Sequence, residues 1–376
     1  MFVGITNTPR DYAWGSTTAI AALRGVAPSG KPEAELWLGA HPGSPSQLVG
    51  RPGTLADIVD GRLPFLLKVL AASTPLSLHA HPTPAQAEAG FARENAAGIP
   101  LDALERNYKD PFHKPEIIYA LSDPFRALSG FRAVVDTRAV LEPVADDNRI
   151  APLVRRLSSD AELRSTFEWL ITRGEGVDDL IAAVVEAAST VDGPSWETVR
   201  TLAEHYPGDP GIAISLLLHT VDLRPGEVLY LPAGNIHAYL SGLGIELMAA
   251  SDNVLRGGLT PKHVDVPELL EVLEFTPLPA PYLAPRTLGE GVEVFSPDVP
   301  DFALTVVSVD AAERGVDVTI PAAGPAIAFA GTGAVVLSGA TESFTLDRGS
   351  AVYVTGEAAL HVEGDGQLFV ATTGAL

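Results

Sequence analysis

Three separated segments of this chain carry side chains of the kind that bind a divalent metal. The first is Ser77-Leu78-His79-Ala80-His81. On a strand alternate residues share a face, so Ser77, His79 and His81 point one way and Leu78 and Ala80 the other. Two imidazoles on one strand face can chelate a metal. The alternative is a pair of histidines on a polar edge, and the flanking Leu76, Leu78 and Phe65-Leu-Leu67 run argue against an exposed edge. The second segment, Asn107 to Glu116, delivers Glu116 into the apolar run Ile117-Ile-Tyr-Ala120. A carboxylate entering such a strand needs a partner, because an unpaired buried charge is costly. Lys114, two residues earlier, shares its face if the strand has begun by then, so a metal ligand and a surface Lys114–Glu116 pair are both open readings. In the third segment a strand, Gly226 to Leu231, runs into Pro232-Ala-Gly234, and His237 follows three residues on.

The elements that must position these groups change character along the chain. Up to about Arg132 short apolar runs alternate with turns, as in Glu35–Leu38, Phe65–Val69 and Leu76–Ala80. One helix interrupts them: Thr83 as N-cap, Pro84 at the first helical position and Gln86 closing a capping box, with Gly98 and Pro100 ending it. From Asp136 to His219 the period becomes helical. Ser159 and Glu162 predict a second capping box ahead of Leu163, Phe167, Leu170 and Ile171, and Ser195 predicts the cap of a helix carrying Val199, Leu202, Ala203 and Tyr206. This stretch reads as an insertion that forms scaffold or rim. After Thr220 strands return, and the tail predicts strands at Phe302–Val309, Val316–Ile320, Ala334–Leu337, Ala351–Val354 and Leu368–Ala371, a sandwich or jelly-roll pattern. Leu223 to Leu231 and Leu346 to Val354 share a glycine turn followed by a strand ending near a tyrosine, a weak repeat that favours two related β units.

Composition excludes several classes. The 376 residues are 46% hydrophobic and 19% charged, a globular balance large enough for two or three domains. The formal net charge of −22 repels nucleic acid and anionic membranes. It also repels a sugar phosphate, so a phosphate site requires a local basic cluster. The longest apolar stretch, Phe65 to Ala72, is short and broken by Lys68, and no secretory signal is visible. Without cysteine there are no disulfides or thiol ligands, which fits a reducing compartment and the expectation of a cytoplasmic protein.

The Gly226-x5-Pro232-x-Gly234-x2-His237 spacing resembles the second cupin signature, and His79, His81 and Glu116 resemble the first, with a helix inserted before the glutamate. The likeness is closer still to the type I mannose-6-phosphate isomerase family. It is carried by Tyr12-Ala-Trp-Gly15, Glu35-Leu-Trp-Leu-Gly-Ala-His-Pro42, Leu63 to Leu70, Asn107-Tyr-Lys-Asp110, His113-Lys-Pro-Glu116 and Ser251-Asp-Asn-Val-Leu-Arg-Gly-Gly-Leu-Thr-Pro-Lys262. The resemblance implies a mainly β chain of two cupin-type jelly rolls plus a small α-helical domain. The catalytic jelly roll is expected over 1–135 and 220–285, the helical insertion over 136–219 and a structural, metal-free jelly roll over 286–376. It places one divalent metal, zinc, on His79, His81, Glu116 and His237. The family usually carries Gln where this chain has His79, which leaves iron or manganese open. It also places Ser77, Lys114, Glu246, Asp252, Arg256 and Lys262 in or beside the substrate cleft, where Arg256 and Lys262 supply the basic cluster for a phosphate.

The chemistry so implied is aldose–ketose isomerisation of mannose 6-phosphate and fructose 6-phosphate through an enediol(ate). It requires a base that reaches C1 and C2 and a group that stabilises charge on O1 or O2. The base is Lys114, Glu246 or His113, and proximity to Glu116 favours Lys114. A lysine base must first lose its proton, which burial beside a metal cation favours. Two other readings are an iron or manganese cupin oxidoreductase or decarboxylase, favoured by His79 alone, and a non-catalytic sugar-binding bicupin. The expected partner is a small sugar phosphate, and the expected state a monomer or weak homo-oligomer.

Overall fold

The structure is a computed structural model that describes residues 1–312 and 315–374. Its first strands are β1 (Phe2–Thr6), β2 (Glu35–Leu38), β3 (Gln47–Leu48), β4 (Phe65–Ala72), β5 (His79–Ala80), β6 (Glu116–Ala120) and β7 (Phe125–Phe131). After a helical stretch come β8 (Leu218–Leu223), β9 (Val228–Leu231), β10 (His237–Ala249) and β11 (Leu255–Arg256). The tail adds β12 (Arg286–Gly289), β13 (Val292–Phe295), β14 (Ala303–Val309), β15 (Val316–Thr319), β16 (Ala326–Ser338), β17 (Ser343–Asp347), β18 (Ala351–Val354) and β19 (Ala359–Thr372).

These strands pair antiparallel into two sheets. One has nine strands, β2 and β4 to β11; the other has ten, β12 to β19 together with β1 and β3. The N-terminal strand thus lies against β18, with Val3 opposite Tyr353. Alternation on β4 separates two environments. Phe65, Leu67, Val69 and Ala71 join a core with Phe295, Phe329 and Phe369 of the other sheet and Phe302 just before β14. Leu66, Lys68 and Leu70 face the opposite way, where Leu66 meets Trp37 and Met248. The same alternation on β5 and β10 sends Leu78, Ala80, Ala238 and Leu240 into a core shared with the helices between Val134 and Ile214. It leaves His79, His81 and His237 on the inner side.

The helix Pro84–Ala96 starts as its sequence predicts: the Thr83 side chain accepts from the Gln86 N–H, and Gln86 reaches back to the Thr83 N–H. The next two caps differ from expectation. Residues Asp160–Glu162 form a single 3-10 turn before the helix Leu163–Ile171, and Ser159 makes no side-chain cap bond. Glu162 instead accepts from the Ser165 hydroxyl. Helix Pro194–His205 is capped by Gly193, and Ser195 inside it accepts from Arg132. Proline at the first helical position sets the start two residues earlier than a Ser195 cap would. The two turns of the weak repeat do match: Gly226 and Gly349 both hold positive φ, 93° and 78°, and each leads into a four-residue strand. Leu76 to Leu78 stay outside the ladder, so β5 is shorter than its sequence suggests.

Candidate metal centre and its cleft

Strand register brings the ligand-type groups together. His237 pairs with His79, and Arg256 pairs with His79 from the other side. Farther along β10, Met248 pairs with Glu116. Gly234, at φ 79°, makes the turn that admits His237; a Cβ there would meet Glu274 and the Val272 carbonyl at 3.2 Å. The metal-binding atoms of His79, His81, Glu116 and His237 lie within 4.8 Å of one another.

Each imidazole has one nitrogen already committed. Nδ1 of His79 contacts the Ser77 carbonyl at 3.0 Å, that of His81 the Asn253 carbonyl at 2.8 Å, and that of His237 the Asn235 carbonyl at 3.0 Å. A carbonyl only accepts, so each Nδ1 carries the proton and each Nε2 keeps a lone pair. Nε2 of His81 and His237 is buried without a hydrogen-bond partner. Each lies beside Glu116, at 3.4 Å from Oε1 and 3.5 Å from Oε2. Donors about 2.0–2.1 Å from a tetrahedral zinc stand about 3.3 Å apart, so this donor set fits a metal of that size. Burial pushes the His81 imidazole down to about 4, although Glu116 pulls the other way. Burial, then the His237 and His81 charges, place His79 well below the usual histidine range. Burial would raise the Glu116 carboxyl, but Lys114, His81 and His237 hold it well below the ordinary carboxylate range. His79, His81 and Glu116 are therefore deprotonated at neutral pH.

Lys114 Nζ sits 2.8 Å from Glu116 Oε1, with side chains only 11% and 2% exposed, so this pair is interior. Glu246 lies in the same buried layer with Lys68, and the phenol of Tyr239 is buried there without a partner. Burial, then Glu246 and Glu116, push that phenol well up. Asp252 is half exposed at the rim, and Arg256 is partly buried. Lys262 is exposed, with its N–H on the Thr260 hydroxyl. Ser77 contributes its carbonyl to His79. His113 is not brought to the ligand cluster. Its Nε2 lies 2.7 Å from Asp301 of the C-terminal tail. Lys114 lies just before β6, whose first residue is Glu116, and its ammonium reaches the Glu116 carboxylate while His113 beside it pairs with Asp301. A cavity of about 390 Å³ adjoins the rim, lined by His41, Asp252, Arg62, Lys109 and Phe112 among others.

Sequence reasoning passed over Lys68, Glu35, His41, Tyr239 and Asn253. The available signal was charge inside apolar strands: Lys68 in the fully buried β4, and Glu35 opening the fully buried β2.

Comparison with known proteins agrees with this geometry. Residues 2–134 match the family model for the catalytic domain of type I phosphomannose isomerase. The mannose-6-phosphate isomerase of Salmonella typhimurium is 39% identical over 97% of both chains, and the human enzyme is 32% identical over 80% of both. A crystal structure of the Salmonella enzyme bound to its substrate and a zinc atom superposes with a TM-score of 0.91 at 38% identity, covering both chains fully. This chain belongs to the type I phosphomannose isomerase family.

Proposed function

We propose that this chain interconverts mannose 6-phosphate and fructose 6-phosphate with one zinc ion held by His79, His81, Glu116 and His237. The observation that carries the reading is the pair of buried, partnerless Nε2 atoms of His81 and His237 facing Glu116, with Lys114 beside the same carboxylate. Bound there, the metal supplies Lewis-acid polarisation of the substrate's O1 and O2. Lys114 in its neutral form takes the proton from one of the two adjacent carbons and returns it to the other, through an enediol(ate). Glu246 and Asp252 bind sugar hydroxyls, and Ser77 lines the cleft. Arg256 and Lys262 hold the phosphate, a favourable local charge in a chain of net charge −22.

The same reading divides the chain into a catalytic cupin jelly roll (1–135 and 220–285), a helical insertion (136–219) and a structural jelly roll (286–376). Residues 2–6 and 47–48 pair into the sheet of the last of these. Conversion of mannose 6-phosphate in a coupled assay, with metal analysis of the same sample, tests the proposal. Turnover with one zinc per chain, abolished by chelation and restored by zinc, is expected. Full metal loading without turnover would turn the reading to a sugar-binding protein.

A further inference from the structure

His41 and Asp252 form a second polar pair at the rim of the cleft, apart from the metal ligands. His41 Nε2 stands 3.4 Å from Asp252 Oδ2, a long contact, with the imidazole 8% and the carboxylate 50% exposed. The tautomer is set from behind. The Gly43 N–H donates to His41 Nδ1 at 3.1 Å, so that nitrogen holds a lone pair and the ring proton resides on Nε2, toward Asp252. The ring is fixed in place by an edge-on contact with Trp37, centroids 5.0 Å apart at 89°. Trp37 in turn donates its Nε1–H to Glu35 Oε2 at 2.9 Å, and Glu35 and Glu246 flank Lys68.

The backbone of Asp252 is held independently. Its N–H donates to Asp110 Oδ2 at 2.8 Å, and its neighbours Ser251 and Asn253 bond to Asp110 and the Phe112 carbonyl. Among the described residues, His41 is the side chain that reaches the Asp252 carboxylate. One carboxylate oxygen thus faces a donor locked by the protein, while the side chain stays half exposed in the lining of the cavity.

We propose that His41 is a positioning residue for Asp252, holding Oδ2 so that Oδ1 presents a fixed acceptor to a hydroxyl of the sugar. This rests on the reading of the cleft given above. A free carboxylate at the rim would rotate and lose directional preference; a held one selects the hydroxyl geometry of the substrate.

A double-mutant cycle tests it. His41→Phe keeps the aromatic packing on Trp37 and removes the donor; His41→Gln keeps an N–H near the Nε2 position. Should the phenylalanine variant fold poorly, the glutamine variant and His41→Leu carry the comparison. Zinc content and melting temperature should stay near wild type in His41→Phe, while kcat/KM for mannose 6-phosphate falls about 10- to 100-fold. His41→Gln should recover part of the loss. In the Asp252→Ala background, His41→Phe should cost almost nothing further. Losses that multiply, or a wild-type kcat/KM in His41→Phe while Asp252→Ala is impaired, would overturn the role of His41 alone. Wild-type activity in Asp252→Ala would overturn the reading of Asp252 in the cleft, and with it this inference.

Discussion

Lys68 and Glu246 face each other across the β4–β10 ladder, and their side chains meet at 2.8 Å. Glu35 approaches the same ammonium at 3.5 Å from β2. All three are almost fully buried, so one cation sits between two carboxylates on the wall of the metal cleft. Burial disfavours the Lys68 charge, but Glu246, Glu35 and Glu116 together hold its pKa above the ordinary lysine range. Burial also raises the Glu246 carboxyl, against the pull of Lys68.

Removing the cation from this layer should be expensive. Lys68→Met leaves two buried carboxylates facing each other and should destabilise the fold by about 3–5 kcal/mol. Adding Glu246→Gln should recover part of that loss, because it removes one of the stranded charges. Denaturant titration of the two variants against wild type checks this, and equal stability of Lys68→Met and wild type would show that water or a proton replaces the ammonium at no cost.

The metal site is expected to respond to position 79 by donor count. His79→Ala leaves three protein donors and should bind zinc at least about tenfold more weakly. His79→Gln still offers a neutral donor from the same strand position and should keep both metal and activity. Metal content after equilibrium dialysis, measured side by side, distinguishes them; wild-type zinc content in the alanine variant would remove His79 from the ligand set.

Lys114→Ala should retain zinc yet lose proton transfer. Its ammonium shares Glu116 with the imidazoles, so its loss weakens the metal-free protein while a bound cation takes over the neutralisation of Glu116. In heavy water the wild type should wash solvent deuterium into C1 or C2 of the sugar, and the variant should not. Unchanged exchange would move the base to Glu246.

The depressed His81 gives the metal-free protein a defined pH dependence. Unfolded histidine binds a proton below about pH 6.5, whereas folded His81 does so only below about 4. Between these values the unfolded chain holds more protons, so stability falls as pH drops from 6.5 toward 4. The lowered pKa of Glu116 adds in the same direction at the acid end of this window. Urea unfolding of the metal-free protein at pH 7 and pH 5 should show the loss, and His81→Asn should make it shallower, the depressed His79 supplying part of what remains. A profile as steep in His81→Asn as in wild type would assign the dependence to other groups.

What could be read from the sequence divides along physical lines. The period-two spacing of His79 and His81 puts both imidazoles in one cluster, so local pattern alone reveals that pair, even though only His79 and Ala80 join the ladder. The partners of Lys68 lie 33 and 178 residues away in the chain, and no local pattern announces them. His113 stands beside Lys114 in sequence, but ahead of β6, where no strand period fixes its direction, and it pairs with Asp301, 188 residues on. The cap at Ser195 failed because proline at the first helical position overrode a good capping residue placed just inside the helix. The mainly β character was legible because apolar runs of strand length recur throughout the tail. The joining of β1 to the C-terminal sheet was not, since a lone short strand carries no mark of which sheet it will enter.

That joining imposes an order on folding. Residues 2–5 find their main ladder partner in 351–354, and nearer partners reach only Gly4 to Thr6, in 47–49. At a synthesis rate of about 5–20 residues per second, most of this early strand must wait on the ribosome for on the order of tens of seconds before its neighbour exists. During that interval its apolar Phe2 and Val3 are open to chaperones and to other nascent chains. The closing pairing, which spans almost the whole described chain, is of the long-range kind that slows folding. A circular permutant that moves residues 1–6 to follow residue 374, through a flexible linker long enough to cross the three strand spacings from β19 to β1 (about 14 Å), would shorten that interval and should refold with less aggregation.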